Sequence, residues 1–172
     1  LSVYGMSAIT AVTAQNSVRV DAVHYMPPEF VAAQIDAVLS DYGAAAIKSG
    51  FLGRVDIIEA VAERLAYYKT SEVFGKPQRS ETPIIIIDPV LVNHRGEAMF
   101  GPEVAAAYRH LLFPLADLIT PNIRELIELQ DVVTSTPNFA HAQLSSYMAD
   151  LGAARVLLTG RRAAQDVMED IY

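Results

Sequence analysis

The sequence predicts an α/β protein with a doubly wound, mostly parallel sheet and helices on both faces. First, short apolar runs alternate along the chain with longer amphipathic stretches. Second, the apolar runs at residues 84–90 and 118–125 each end abruptly in polar side chains and a proline. Third, 52% of the residues are hydrophobic, which suits a buried sheet. We expect right-handed β-α-β units that bind ligands outside the carboxyl ends of the strands.

The first predicted elements are two strands and a helix. Residues 7–13 are small or β-branched and predict a strand, and the alternating residues 18–23 predict a short edge strand. The Pro-Pro-Glu segment at residues 27–29 places prolines and a carboxylate where helices begin. Apolar residues then recur at helical spacing until Gly43, which predicts the end of this helix.

Two further strands follow in the middle of the chain. Residues 44–48 predict a second buried strand, and residues 49–53 a turn. Apolar positions between residues 55 and 65 predict an amphipathic helix. The polar segment 69–82 predicts a surface loop, and residues 84–88 predict the third strand of the alternating pattern.

The last part of the chain continues the alternation. A helix is predicted from Pro102, a strand at residues 117–120 and a short helix at residues 122–129. Another helix is predicted at residues 138–151, and a final strand at residues 155–159. The order of the strands in the sheet cannot be derived from this periodicity.

Composition excludes several classes of function. The formal charge of −7 and the pI near 5.0 argue against a nucleic-acid partner. The absence of cysteine excludes disulfides, thiolate metal sites and a cysteine nucleophile within these residues. No apolar run is long enough to span a membrane, and we expect no signal peptide. A length of 172 residues suits one domain. Together with the absence of a membrane span, this predicts a soluble cytoplasmic domain without membrane partners.

Asp88 is a candidate metal-binding residue. It ends a run of four isoleucines and precedes Pro89, and a carboxylate there costs free energy unless it is paired or bound to metal. A turn cap is the structural alternative. We favour a Mg²⁺-phosphate site that contacts Asp88 through bound waters, because Mg²⁺ keeps several waters and uses few carboxylates. Lys48 is interpreted as a structural ion-pair partner at a strand end.

Asn122 and Glu125 have two compatible interpretations. Their spacing is that of a capping box, in which each side chain accepts a hydrogen bond from the other's backbone. The same helix start would also present free backbone N–H groups to a phosphate. Glu125 would then orient metal-bound water, and Asn122 would contact the phosphate or the hydration shell of the metal.

Several motifs in a fixed order resemble those of one enzyme family. These motifs lie at residues 4–16, 27–36, 48–53, 88–92 and 118–125. Together they resemble the hydroxymethylpyrimidine/phosphomethylpyrimidine kinases, the thiamine-pathway family of the ribokinase-like superfamily, over residues 3–159. The resemblance implies ATP-dependent phosphorylation of the hydroxymethyl group of 4-amino-5-hydroxymethyl-2-methylpyrimidine or of its monophosphate. ATP and Mg²⁺ are the implied cofactors, and a homodimer is a further expectation.

The resemblance also implies where the substrate binds. The amide of Gln15 and the backbone of Thr13 would recognise the aminopyrimidine, although a polar turn after a strand would explain Gln15 equally well. Gly50 would let the backbone approach the ligand closely. Phe51 stands where the family usually has methionine, and its ring would either stack on the pyrimidine or belong to the core.

Nucleotide and metal contacts follow from the same resemblance. Asn122, Glu125 and Thr159 would bind the nucleotide, and Asp88 and Glu125 the metal. Thr159 stands where the family commonly has a lysine, so either its hydroxyl or one of the next two arginines would contact phosphate.

The resemblance further predicts that residues 1–172 are part of a larger ribokinase-like domain. A glycine-rich segment with substrate contacts would precede Leu1. A glycine-rich anion hole and the catalytic residue that activates the substrate hydroxyl would follow Tyr172.

Three alternatives stay open from the sequence. A pyridoxal kinase would share the fold and accept a similar ring alcohol. A non-catalytic pyrimidine-binding or regulatory protein would keep the pocket without phosphoryl transfer, and Thr159 motivates this alternative. A fragment without independent function is the third.

Overall fold

The computed structural model describes residues 3–70, 82–130, 146–164 and 167–171. The chain begins with an antiparallel hairpin of β1 (Ala11–Gln15) and β2 (Val20–Tyr25), with a register shift between Ala14 and Gln15. The strand predicted at residues 7–13 therefore begins later than expected. It pairs with the predicted edge strand instead of joining the parallel sheet.

A parallel sheet forms the centre of the fold. It contains β3 (Ala46–Ser49), β4 (Ile84–Ile87) and β5 (Leu118–Ile119) in the order β3-β4-β5. Isolated parallel bridges add the segment after residue 155 beside β5, joining Ile119 to Val156 and Asn122 to Thr159. The predicted α/β class and the mostly parallel sheet are confirmed.

Four α-helices have both ends among the described residues. They are α1 (Pro28–Asp41), α2 (Val55–Thr70), α3 (Pro102–Ala107) and α4 (Ile123–Gln130). After α3 the chain continues as a π-helical turn (Tyr108–Leu112) and then a 3₁₀ turn (Phe113–Leu115). Proline opens α1 and α3 within their first turns, as the sequence predicts. These helices place the carboxyl ends of β3, β4 and β5 on one edge of the sheet.

The isoleucine strand is buried at alternate residues. Ile85 and Ile87 are fully buried in the core with α2, α3 and the π-helical turn. Ile84 is 56% exposed, so the prediction of a continuously buried strand is wrong there. Successive side chains of a strand point to opposite faces, and these helices cover the face of Ile85 and Ile87. The prediction of a buried strand is also wrong for part of β3, because Ala46 and Lys48 are exposed.

The C-terminal part forms a second hairpin. β6 (Leu158–Ala164) pairs antiparallel with β7 (Val167–Ile171). The strand predicted at residues 155–159 therefore passes from a parallel bridge at Val156 into this hairpin. Residues 146–149 are helical, and the rest of the helix predicted at 138–151 falls mainly outside the described residues, as does most of the predicted loop at 69–82.

No helix in the described ranges has the length and apolarity needed to cross a membrane. The cytoplasmic location stays a prediction from the sequence.

Candidate functional site

Asp88 lies at the carboxyl end of β4 and forms an ion pair across the sheet. Its Oδ2 accepts a hydrogen bond from Lys48 Nζ at 2.5 Å, and its backbone N–H donates to Ser49 Oγ at 3.1 Å. The Asp88 side chain is 29% exposed and that of Lys48 is 56% exposed. The ion pair predicted for Lys48 at a strand end is thus confirmed. The strand end presents a carboxylate and an ammonium group together to solvent.

The start of α4 is a capping box, as the spacing of Asn122 and Glu125 predicts. Asn122 Oδ1 accepts hydrogen bonds from the amides of Arg124 at 2.8 Å and Glu125 at 3.0 Å. Glu125 Oε2 accepts one from the amide of Asn122 at 2.8 Å. The expectation of free backbone donors is therefore wrong for residues 124 and 125, because the asparagine oxygen already occupies them. The side-chain NH₂ of Asn122 takes no part in this cap and can donate to a phosphate.

The carboxylate of Glu125 is buried close enough to Asp88 for the two charges to interact. Glu125 is only 5% exposed to solvent. Burial raises the pKa of Glu125, the charge of Asp88 raises it further, and backbone hydrogen bonds from Asn122 and Leu91 oppose both effects. The carboxylate at the end of β4 and the carboxylate in the first turn of α4 therefore share one electrostatic environment.

Two threonines complete this edge of the sheet. Thr159 lies beside Asn122 in a parallel bridge, and its amide donates to the carbonyl of Pro121 at 3.0 Å. Thr120 directly follows β5, and its buried Oγ1 has no hydrogen-bond partner among the described residues. A buried hydroxyl without a partner is unfavourable unless a ligand or water satisfies it. Sequence reasoning missed Thr120, although its place between a buried strand and Pro121 could have indicated it. The side chains of Arg161 and Arg162 lie outside the described residues.

These residues fit a magnesium ion held largely through water. Within the described ranges, no three His, Asp or Glu side chains come together as a metal cage. Asp88 and Glu125 instead offer carboxylate oxygens close enough to each other to interact electrostatically. Mg²⁺ prefers oxygen ligands, keeps several waters and uses one or two carboxylates together with substrate phosphates.

The predicted substrate turn follows β3. Gly50 is exposed, and a Cβ built on it would meet no atom within 4 Å. The ring of Phe51 stacks on Tyr25 with centroids 6.0 Å apart and contacts Phe100 at 5.7 Å. Protein rings thus hold Phe51 on two sides, and its stacking on a pyrimidine stays a prediction.

The hairpin is joined to this turn at its base. Thr10 Oγ1 donates to the carbonyl of Phe51 at 2.6 Å. Thr13 and Gln15 are exposed farther along β1, and at strand rise Gln15 lies about 17 Å beyond Thr10. The structure therefore brings Gly50 and Phe51 to the hairpin base but does not bring Gln15 to the turn.

A cleft of about 420 Å³ opens between the start of α2 and the start of α3. Gly53, Arg54, Phe100 and Glu103 are among its lining residues. No predicted site residue lines it, and it adjoins the turn only through the contact of Phe100 with Phe51. We place the candidate site at the strand ends because the carboxylates and the unpaired hydroxyl lie there.

The stability of the protein should depend strongly on one glycine of the turn and weakly on the other. Gly53 has a φ of +70°, and a Cβ there would lie 2.7 Å from the hydroxyl of Tyr25. Gly53→Ala should therefore lower the free energy of unfolding by about 1–2 kcal/mol or more. Gly50→Ala should change it by less than about 0.5 kcal/mol, because its Cβ meets open space. Urea unfolding of both variants measures this, and equal losses would contradict it.

Comparisons with known proteins place the chain in one family. Residues 1–172 match the family model described as phosphomethylpyrimidine kinase. The hydroxymethylpyrimidine/phosphomethylpyrimidine kinase of Escherichia coli K12 is 35% identical over 160 residues, covering 93% of this chain and 56% of that protein. The enzyme of the same name from Bacillus subtilis is 34% identical over 166 residues, covering 96% and 56%. The chain thus spans about half the length of these relatives.

Solved structures agree with this assignment. The phosphomethylpyrimidine kinase of Clostridium difficile 630 matches with a TM-score of 0.77 and 27% identity, covering 98% of this chain and 71% of that one. The ADP complex of Bacillus subtilis pyridoxal kinase matches with a TM-score of 0.72 and 27% identity, covering 98% and 64%. The family resemblance predicted from the motifs is confirmed: the chain belongs to the phosphomethylpyrimidine kinase family.

Proposed function

We propose that the full-length protein transfers the γ-phosphate of ATP to the hydroxymethyl group of 4-amino-5-hydroxymethyl-2-methylpyrimidine, to its monophosphate, or to both, in thiamine biosynthesis. The observation that carries this proposal is the pair Asp88, at the end of β4, and Glu125, in the first turn of α4, in a chain that matches the kinase family over residues 1–172. The names of the bacterial relatives support the substrate.

Phosphoryl transfer requires positioning and charge neutralisation more than covalent help from the protein. Asp88 and Glu125 would hold Mg²⁺ through bound waters, and the ion would neutralise charge on the transferred phosphate. The side-chain NH₂ of Asn122 and the hydroxyl of Thr159, neighbours in the sheet, would contact phosphate oxygens. Lys48 would stay beside Asp88 and limit the repulsion between carboxylate and nucleotide. The group that activates the substrate hydroxyl would belong to a segment after Tyr172.

The pyrimidine would lie against Gly50 and Phe51. The open space beside Gly50 supports this placement, because a planar ring can approach the backbone there. Gln15 and the backbone of Thr13 would reach the ring when the hairpin folds over the turn, pivoting at its base near Thr10. Hairpin closure is therefore part of the proposal.

The first experiment is an assay of the full-length protein with ATP and the pyrimidine alcohol, with products identified by mass spectrometry. A monophosphate or diphosphate would support the proposal and count the steps. Binding of the pyrimidine in calorimetry without any product would support the non-catalytic alternative instead.

Pyridoxal is the second candidate substrate. Solved pyridoxal kinases match the chain with TM-scores of 0.70–0.74, close to the 0.77 of the phosphomethylpyrimidine kinase. We expect the higher kcat/KM for the pyrimidine alcohol. A higher value for pyridoxal would reverse the assignment.

We further propose that the protein forms a homodimer through the β1–β2 hairpin. Val12, Val20 and Val23 are 53%, 52% and 39% exposed on this two-stranded element, and such hairpins are marginally stable alone. Val20→Lys should halve the mass in solution measured by light scattering. Met99→Lys, which changes an exposed apolar side chain outside the hairpin, should leave the mass unchanged. A wild-type monomer would refute the proposal.

A further inference from the structure

Tyr108 is a buried phenol directly behind the substrate turn. It is fully buried, it begins the π-helical turn after α3, and its ring packs on Phe113 with centroids 6.4 Å apart. Its hydroxyl lies 3.5 Å from the carbonyl oxygen of Gly50, to which it donates. The backbone of Leu52 also hydrogen-bonds to this phenol. One side chain thus contacts the backbone on both sides of Phe51.

The surroundings of Tyr108 keep its hydroxyl protonated. Burial raises the pKa of Tyr108 well above its ordinary value, and the charges of Asp88 and Glu125 raise it further. The phenol is therefore a hydrogen-bond donor throughout the physiological pH range. The same interactions show that it lies within electrostatic range of both carboxylates. It therefore contacts the substrate turn and also lies within range of the charges on the phosphate side of the site.

We infer that Tyr108 is a positioning residue, whose hydroxyl fixes the backbone of Gly50 and Leu52 and thereby the orientation of the turn that would receive the pyrimidine. This inference rests on the proposed function, because it assigns the turn to substrate binding. From the sequence alone, Tyr108 belongs only to the helix predicted from Pro102. Gly50 is exposed and has no side chain, so side-chain packing does not hold this residue in place.

The test replaces Tyr108 with phenylalanine, which removes the hydroxyl and keeps the ring. Tyr68→Phe is a matched control, because Tyr68 is 3% exposed on α2 and its hydroxyl donates to the carbonyl of Asp36, also at 3.5 Å. In full-length protein, Tyr108→Phe should raise KM for the pyrimidine roughly three- to tenfold, with kcat and KM for ATP unchanged. Tyr68→Phe should change none of these constants.

Amide hydrogen exchange supplies a second measurement that needs no activity. The amide of Leu52 should exchange at least about threefold faster in Tyr108→Phe than in wild type, and at the wild-type rate in Tyr68→Phe. Equal exchange and equal KM in the two variants would overturn the inference. If wild type phosphorylates no pyrimidine but Leu52 exchange still rises in Tyr108→Phe, the proposed function fails and the positioning role for the turn stands.

Discussion

Replacing Asp88 with asparagine should lower kcat for pyrimidine phosphorylation by about 10²–10³-fold in the full-length protein. The amide keeps the shape of the carboxylate and can still accept the hydrogen bond of Lys48. It lacks the negative charge needed to hold a water-coordinated Mg²⁺ beside the transferred phosphate. The Lys48 side chain is 56% exposed, so leaving its ammonium group without a charged partner should cost little stability. Steady-state kinetics at saturating ATP and Mg²⁺ measure the loss.

Asp117→Asn is the matched control for this prediction. Asp117 lies at the opposite, amino end of β5, where it accepts a hydrogen bond from the amide of Ile85 at 2.8 Å and pairs with Lys69 at 3.7 Å. It is thus a lysine-paired aspartate of the same sheet, on the edge away from the site. Its variant should keep wild-type kcat. A similar loss in both variants would show that the Asp88 effect is structural.

Glu125→Gln should separate activity from stability. Glutamine keeps an oxygen that can accept the hydrogen bond of the Asn122 amide, but it removes the charge proposed to orient metal-bound water. We expect kcat to fall about 10- to 100-fold. Burial raises the pKa of Glu125 above its ordinary 4.5, so the folded state binds its proton more tightly than the unfolded state. In the wild type, the protonated Glu125 therefore contributes to the free energy of unfolding below pH 4.5. This contribution is lost as the pH rises through the raised pKa of the folded state.

The variant has no such loss, so its stability relative to wild type should increase between about pH 4 and pH 7 in protein free of metal and nucleotide. Urea unfolding at several pH values measures this difference. Glu128→Gln, which alters an exposed carboxylate on the same helix, should show no comparable trend. A relative stability that falls with pH would contradict the raised pKa of Glu125.

The alternation of apolar runs and amphipathic stretches was sufficient to predict the α/β class and most helices, because burial period and proline position are local properties of the sequence. It failed where burial depends on what lies across the sheet. Ile84 has the same side chain as Ile85, yet it is exposed because it points to the opposite face. The residues of β1 favour a strand locally, but nothing local determines that β1 pairs with β2 and not with the sheet.

In the candidate site, too, the local contacts could be predicted from the sequence and the long-range contacts could not. The Asn122–Glu125 cap is encoded within four residues, and its geometry matches the prediction from spacing. The contact between Lys48 and Asp88 follows once the two neighbouring strands that carry them are known to be parallel. Thr120 and Tyr108 were missed because an unsatisfied hydroxyl and a contact across 58 positions become visible only in three dimensions.

The π-helical turn at Tyr108–Leu112 has a consequence for comparing sequence lengths among relatives. A π-helical turn closes its hydrogen bonds over one more residue than an α-helical turn. A relative with one residue fewer in this segment would continue as α-helix, and the residue aligned with Tyr108 would be rotated by about 100° relative to the residues that follow. If Phe113 keeps its fully buried place in the core, the side chain aligned with Tyr108 would then point away from Gly50. A one-residue gap here should therefore distinguish relatives without the tyrosine contact, even where the aligned residue is itself a tyrosine.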